Sequence, residues 1–209
     1  MRKIISTTFV TLDGVMQAPG GPEEDKTNGF KYGGWQVAVP MDKMMESTLS
    51  AIMNAPFELL LGKTTYNIFA SYWPHAKIDN EVAVPFNATK KYVVSHTSFE
   101  PSWNNSVCVT GDVPAQLQKL KEENGPNLWV WGSGNLIQTL LKDHLIDRMQ
   151  LWIYPLTIGS GPGRAGKKLF EEGTGPEKFK LAESKISTTG VILATYEPVG
   201  GFKTGTIGE

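Results

Sequence analysis

Lys63, Thr64 and Thr65 follow Gly62 at the end of the apolar run Phe57-Glu58-Leu59-Leu60-Leu61 and open a helix-like pattern. A strand that ends in glycine and passes into a helix presents backbone amides with no intrahelical acceptor. With the positive end of the helix dipole, such amides attract an anion. Lys63 adds a cation, and the two threonines add hydroxyls. The arrangement recurs after Leu128-Trp129-Val130-Trp131, where Gly132, Ser133, Gly134, Asn135 and Leu136 lead into a second apolar helix. Either turn alone reads first as an ordinary capped junction. Together they point to a diphosphate held from two sides.

A nucleoside-triphosphate loop, Gly-x-x-x-x-Gly-Lys-Ser/Thr, fails here. Its first glycine would fall at Phe57, so the residues that should wrap phosphate are the strand itself. Gly161-Pro162-Gly163-Arg164-Ala165-Gly166-Lys167-Lys168 has glycines and a lysine but places Lys168 where a magnesium-binding hydroxyl belongs. The segment from Leu169 to Phe179 is too short and too broken by glycine and proline for the helix that this loop, or a GxGxxG turn, requires. The glycine-rich stretch reads as a flexible loop, either bordering the ligand or simply connecting.

The elements that position these turns alternate. Residues 3–10 are rich in β-branched residues and read as a strand. A long polar, glycine-rich loop comes after it, of a length that is usually functional or disordered. Residues 41–54 carry a helical apolar stripe that stops before Pro56. The strand ending at Gly62 and a helix ending near Pro74 come next, then strands at Lys91–Ser95 and Ser106–Thr110. Asp112 offers an N-cap for a helix closed by Gly125. A strand at 127–132, a helix from Asn135, a long strand at 147–158 and an antiparallel hairpin turning at Thr189-Gly190 complete the order. Such alternation implies an α/β fold with a central mixed, mostly parallel sheet flanked by helices, and a ligand beyond the carboxyl ends of the strands.

A chain of 209 residues with 40% hydrophobic and 20% charged residues fits a single domain over 1–209. The formal net charge of -1 leaves no basic patch for nucleic acid. No apolar run is long enough to span a bilayer, and the polar start argues against a secretory signal, so a cytoplasmic protein is expected. Cys108 is the single cysteine, which excludes an intrachain disulfide. His75, His96 and His144 have no ligand spacing, and no metal site is expected. Trp129 and Trp131 share one face of their strand and read as core. His75 and His144 read as capping or surface residues.

The series Thr11-Leu12-Asp13-Gly14, Leu59 to Pro74, Lys91 to Thr97, Val130 to Leu141 and Leu145 to Phe170 resembles the dihydrofolate-reductase-like superfamily. Specifically, it is similar to the reductase domain of bifunctional riboflavin-biosynthesis deaminase-reductases and their stand-alone bacterial relatives. The resemblance spans nearly the whole chain. It implies a three-layer fold and a nicotinamide dinucleotide, NADPH before NADH. Lys63, Thr64 and Thr65 correspond to the motif facing the cofactor phosphates, and Ser95 and His96 to the strand end meeting the adenosine 2′-phosphate. Gly132 to Leu136 correspond to the pyrophosphate turn, and Thr11 to Gly14 to the border of nicotinamide and substrate.

Relatives usually carry arginine where this chain has Lys63, and often again where it has His96. Lysine is a point charge without arginine's planar fork, so phosphate selection rests here on Lys63, Ser95 and a protonated His96 together. No zinc-deaminase signature is present, and one cysteine cannot supply one. Relatives are often dimers, which makes a homodimer an expectation.

What the resemblance implies is a reductase delivering hydride to a small heterocyclic substrate, pterin-like or pyrimidine-like. The alternatives are a non-catalytic dinucleotide-binding or stress-related module, and a phosphate-ligand binder without nicotinamide. Asp13 is the catalytic candidate, to contact substrate or relay a proton, with an Asx turn as its other reading. Gly14 borders the substrate with it. Trp35 either stacks on a flat substrate or anchors the long loop in the core. Asp42 and Glu46 are the carboxylates on the first helix, and no spacing selects between them.

Overall fold

The computed structural model describes residues 1–77, 80–161 and 166–208. The strands are β1 (Ile4–Thr11), β2 (Phe57–Gly62), β3 (Lys91–Val94), β4 (Ser106–Val109), β5 (Asn127–Trp131), β6 (Arg148–Tyr154), β7 (Phe179–Ile186) and β8 (Ile192–Pro198). The helices are α1 (Lys43–Asn54), α2 (Lys63–Tyr72), α3 (Ala83–Ala88), α4 (Val113–Glu122) and α5 (Gly134–Lys142). All eight strands form one sheet in the order β4-β3-β2-β5-β1-β6-β8-β7. The strands from β4 to β6 in that order run parallel, and β8 is antiparallel to both β6 and β7. The expected mixed sheet with a terminal hairpin is therefore present.

β1 lies between β5 and β6, in register from Ile4 opposite Leu128 and from Ile5 opposite Arg148. Alternation sends Ile4 and Val10 to the face covered by α4 and α5, where they meet Leu128, Val130, Ile137 and Leu140. Ile5, Trp129 and Trp131 face the other way, with Ile52 of α1, Tyr66 of α2 and Phe86 of α3. Burial on both faces is why these parallel strands read as nearly continuous apolar runs. Each fully buried aliphatic side chain contributes about 1.5–3 kcal/mol.

Several boundaries differ from the sequence expectation for local reasons. The strand expected over 147–158 ends at Tyr154, because Pro155 has no amide to continue the ladder. The helix expected to close at Gly125 ends at Glu122. Gly125 instead packs on the Arg2 guanidinium, where a Cβ would stand 3.3 Å from Cζ. Met41 and Asp42 precede α1, and Asp42 Oδ1 caps it by accepting from the Met45 amide at 3.0 Å. Proline-containing α3 gave no amphipathic period and was not expected; Asn80 Oδ1 holds its start through the Val82 and Ala83 amides.

Charged residues bind the amino ends of the strands. Arg2 pairs with Glu58, and Lys121 Nζ lies 2.8 Å from Asp147 Oδ2, which also accepts from the Ile4 amide at 2.7 Å. Lys91, fully buried at the start of β3, donates to the carbonyls of Thr89, Asn104 and Asn87 at 2.8, 3.1 and 3.3 Å, with its ammonium over the Trp103 ring. The carboxyl ends have a different construction.

Candidate functional site

β2 and β5 are neighbours, so the two glycine turns meet at their carboxyl ends. Gly62 is the last residue of β2 and Lys63 the first of α2, with no loop between them. Gly132 and Ser133 have left-handed φ values of +60° and +62°, which turn the chain sharply into α5. A non-glycine residue held there costs about 1–3 kcal/mol. The conformation places Ser133 Oγ 3.0 Å from the Gly62 amide, which donates to it. A single hydrogen bond joins the two turns.

The helix starts at this end are of two kinds. Aspartates cap α1 and α4, whereas α2 and α5 begin without a side-chain cap. The amides of Lys63, Thr64 and Thr65, and those of Gly134, Asn135 and Leu136, lack an intrahelical acceptor, as at any helix start, and here no capping side chain takes its place. Thr64 and Asn135 are exposed, and Thr65 is half-buried, its Cγ2 3.9 Å from where a Gly132 Cβ would stand. Leu136 is buried in the core beneath α5, so only its backbone is available to a ligand. Ser95 is buried at the end of β3; its Oγ donates to the Thr97 carbonyl at 2.7 Å. His96 beyond it is exposed.

On the other side of the turns lies the loop after β1. Asp13 is only partly exposed and accepts from Thr11 Oγ1 at 2.5 Å, the Gly159 amide at 2.7 Å and the Ile158 amide at 3.3 Å. Burial acts to raise its carboxyl, but the Thr11 hydroxyl and the Gly159 and Ile158 amides outweigh that and hold it below the ordinary value. Asp13 thus carries a charge that fastens the loop after β1 to the chain beyond β6. Gly14 closes a turn on the Thr11 carbonyl with φ +82°, a conformation that favours glycine. Met16 N donates to the Lys167 carbonyl and Leu169 N to that of Gly14, so residues 14–16 and 167–169 run side by side. Gly166 is pressed against Val15 and Phe30. Residues 162–165 of the glycine-rich stretch lie outside the described residues.

Trp35 does not stand over the site as a stacking lid. It is 7% exposed, donates from Nε1 to the Gln17 carbonyl at 2.8 Å and meets Tyr154 edge-on. It anchors the long loop, the second of its two sequence readings. The residue that organises this loop, Gln17, carried no motif and was missed. Its buried side chain donates to Asp25 and Thr27 and accepts from the Lys167 amide. Asp42 is committed to capping and to the Thr188 turn, and Glu46 is exposed. Met45 of α1 is buried in one cluster with Trp35, Trp152 and Tyr154. Partly buried Phe9 packs on the buried rings of Trp131, Trp152 and Tyr154, so of this aromatic group only Phe9 retains surface.

Residues 2–193 match the family model of the RibD C-terminal domain. YyaP of Bacillus subtilis, an uncharacterized protein, is 24% identical over 93% of this chain and 94% of its own. YwjB of the same organism, also uncharacterized, is 26% identical over 61% of this chain and 66% of its own. Among solved structures, a protein assigned to riboflavin biosynthesis from Shewanella sp. PV-4 is similar with a TM-score of 0.70 and 20% identity, over 94% of this chain and 99% of that one. Enterococcus faecalis dihydrofolate reductase complexed with NADP(H) gives 0.56 and 11%, over 94% and 96%. A pyrimidine reductase-like protein from Corynebacterium diphtheriae gives 0.56 and 11%, over 96% and 93%. The fold is dihydrofolate-reductase-like.

Proposed function

The chain belongs to the RibD C-terminal domain family, and from that premise we propose that it is a reductase that uses a nicotinamide dinucleotide, NADPH before NADH, on a small flat heterocycle. The observation that carries the reading is the pair of uncapped helix starts, α2 and α5, brought together by the Gly62–Ser133 hydrogen bond. Free amides on two sides of one crevice suit a diphosphate. The donor set fits the cofactor in another respect. Gly62 has φ -73°, which any residue adopts, and a Cβ there would make only ordinary contacts, 3.6 Å from Ser133 Oγ. Neither backbone nor packing requires glycine, whereas a ligand lying close against the turn would.

In this reading the amides and hydroxyls of Lys63, Thr64 and Thr65, with the turn Gly132 to Asn135, hold the phosphates. The bound dinucleotide supplies the hydride. The partly buried Phe9 ring offers apolar surface to the heterocycle, and the loop anchored by Trp35 and Gln17 limits the access of water. Asp13, as an anion, positions that loop against residues 158 and 159. Titrating purified protein with NADPH and NADH separately, followed by tryptophan fluorescence and thermal shift, is expected to show saturable binding. No response to either would remove the cofactor assignment.

One observation favours a second reading, a dinucleotide-binding module without turnover. The Asp13 carboxylate is engaged by three donors, and its proton affinity is reduced rather than raised. Binding without dinucleotide oxidation across pterin-like and pyrimidine-like substrates would support that reading.

A further inference from the structure

Beyond the phosphate turns, the first strand on the side away from β5 is β3, which ends at Ser95 and His96. A dinucleotide whose diphosphate rests between α2 and α5 has one nucleoside beside Phe9 of β1. The other must extend along the carboxyl ends of β2 and β3. On that side Lys63, the first residue of α2, supplies a cation at the end of β2. Lys63 is not free. Its ammonium lies on the face of Phe99, and Phe99 is held against Tyr66 with ring centroids 5.8 Å apart. Tyr66 is itself fixed, because it is buried and its hydroxyl accepts from the Trp103 amide at 2.8 Å. Ser95 is likewise occupied, its hydroxyl closing on Thr97.

We propose that Phe99 tunes the choice between NADPH and NADH by competing with the cofactor's ribose 2′-phosphate for the Lys63 ammonium. The proposal rests on the dinucleotide reading above. A phosphomonoester must draw the lysine off the ring, so part of the gain from the new ion pair offsets the lost cation–π contact. NADH asks for no such exchange. Phe99 therefore lowers discrimination without touching the reacting end of the cofactor. A planar guanidinium can stack on an aromatic ring while its edge donates to phosphate, whereas an ammonium has to leave.

The test is a set of dissociation constants for NADPH, NADH, adenosine 2′,5′-bisphosphate and 5′-AMP, measured by calorimetry. The proteins are wild type, Phe99→Leu, Lys63→Met and the double variant. Leucine retains an apolar contact for Tyr66 but has no ring quadrupole. Phe99→Leu is expected to tighten NADPH and the bisphosphate about two- to five-fold, the worth of one exposed cation–π contact, with NADH and 5′-AMP unchanged. Lys63→Met is expected to weaken the 2′-phosphorylated ligands selectively, and the double variant to match Lys63→Met. An unchanged NADPH to NADH ratio in folded Phe99→Leu, with Lys63→Met still selective, overturns the role of Phe99. An unchanged ratio in Lys63→Met overturns the role of Lys63. Failure of wild type to bind any dinucleotide instead refutes the underlying reading.

Discussion

Gly62 separates what the protein needs for itself from what a ligand needs. Its φ is ordinary, and the space beside it accepts a methyl group at normal contact distance from Ser133 and Leu136. Gly62→Ala is therefore expected to change stability by less than about 0.5 kcal/mol in urea unfolding, as substitutions without cavity or strain do. Dinucleotide affinity measured on the same protein is expected to fall about tenfold or more, each tenfold being about 1.4 kcal/mol. Equal affinity in the variant would mean that the ligand does not approach this backbone. The glycine itself was legible in the sequence, because a glycine between a strand and a helix has few uses. Its bond to Ser133 was not, since the residues are far apart in sequence and the contact depends on two left-handed residues in succession. Asp13 shows the same limit. Its type and place at the end of β1 made it a candidate, but its partners at Ile158 and Gly159 emerge only from the folded chain.

At the scale of elements, every strand carried a period or composition that announced it, and helices failed only where local chemistry was unusual. α3 contains proline and is short, and its start is fixed by Asn80 rather than by an apolar stripe. The loop between β1 and α1 is ordered from its interior by Trp35, for which the sequence offered an anchoring reading beside stacking, and by Gln17, which has no sequence signature for that task. α1 offers a sharper test. Asp42 both caps this helix and accepts from the amide and hydroxyl of Thr188 in the β7–β8 turn. These donors hold its carboxyl below the ordinary value, the Met45 amide most strongly. Asp42→Ala is expected to lower the thermal midpoint and to speed hydrogen exchange in two places at once, the first turn of α1 and the turn near Thr188. Faster exchange in α1 alone would show that the helix and the hairpin are not coupled through this residue.

Across the whole molecule the two ends of the sheet divide their work. Ion pairs and a buried lysine bind the amino ends, while the carboxyl ends carry the glycine turns and, besides the Lys167–Asp25 pair and the capped starts of α1 and α4, two uncapped helix starts. Lys91 tests this division. Lys91→Met leaves the Thr89 carbonyl without its side-chain donor, while those of Asn87 and Asn104 keep Asn104 Nδ2 and Ser106 Oγ, and is expected to cost about 1–3 kcal/mol in urea unfolding, with dinucleotide affinity unchanged. Burial pushes the Lys91 ammonium down to about 8, against an ordinary 10.5. Between those values the unfolded chain holds a proton that the folded chain has released, so this group makes stability rise with pH. The variant's stability profile should be flatter than wild type between pH 8 and 10.5. An identical slope would show that Lys91 keeps its proton in the folded protein.

The position of β1 has a consequence for how the chain is made. β1 occupies the middle of the sheet, and both of its partners follow it in the chain, β5 ending at Trp131 and β6 at Tyr154. During translation one edge of this apolar strand can pair only once Trp131 has been made, and the other only once Tyr154 has. Its turn at Asp13 waits longer still, for residues 158 and 159. The crevice between the helix starts is thus completed late, and a ribosome-stalled fragment ending before β6 would expose β1 to chaperones or to aggregation.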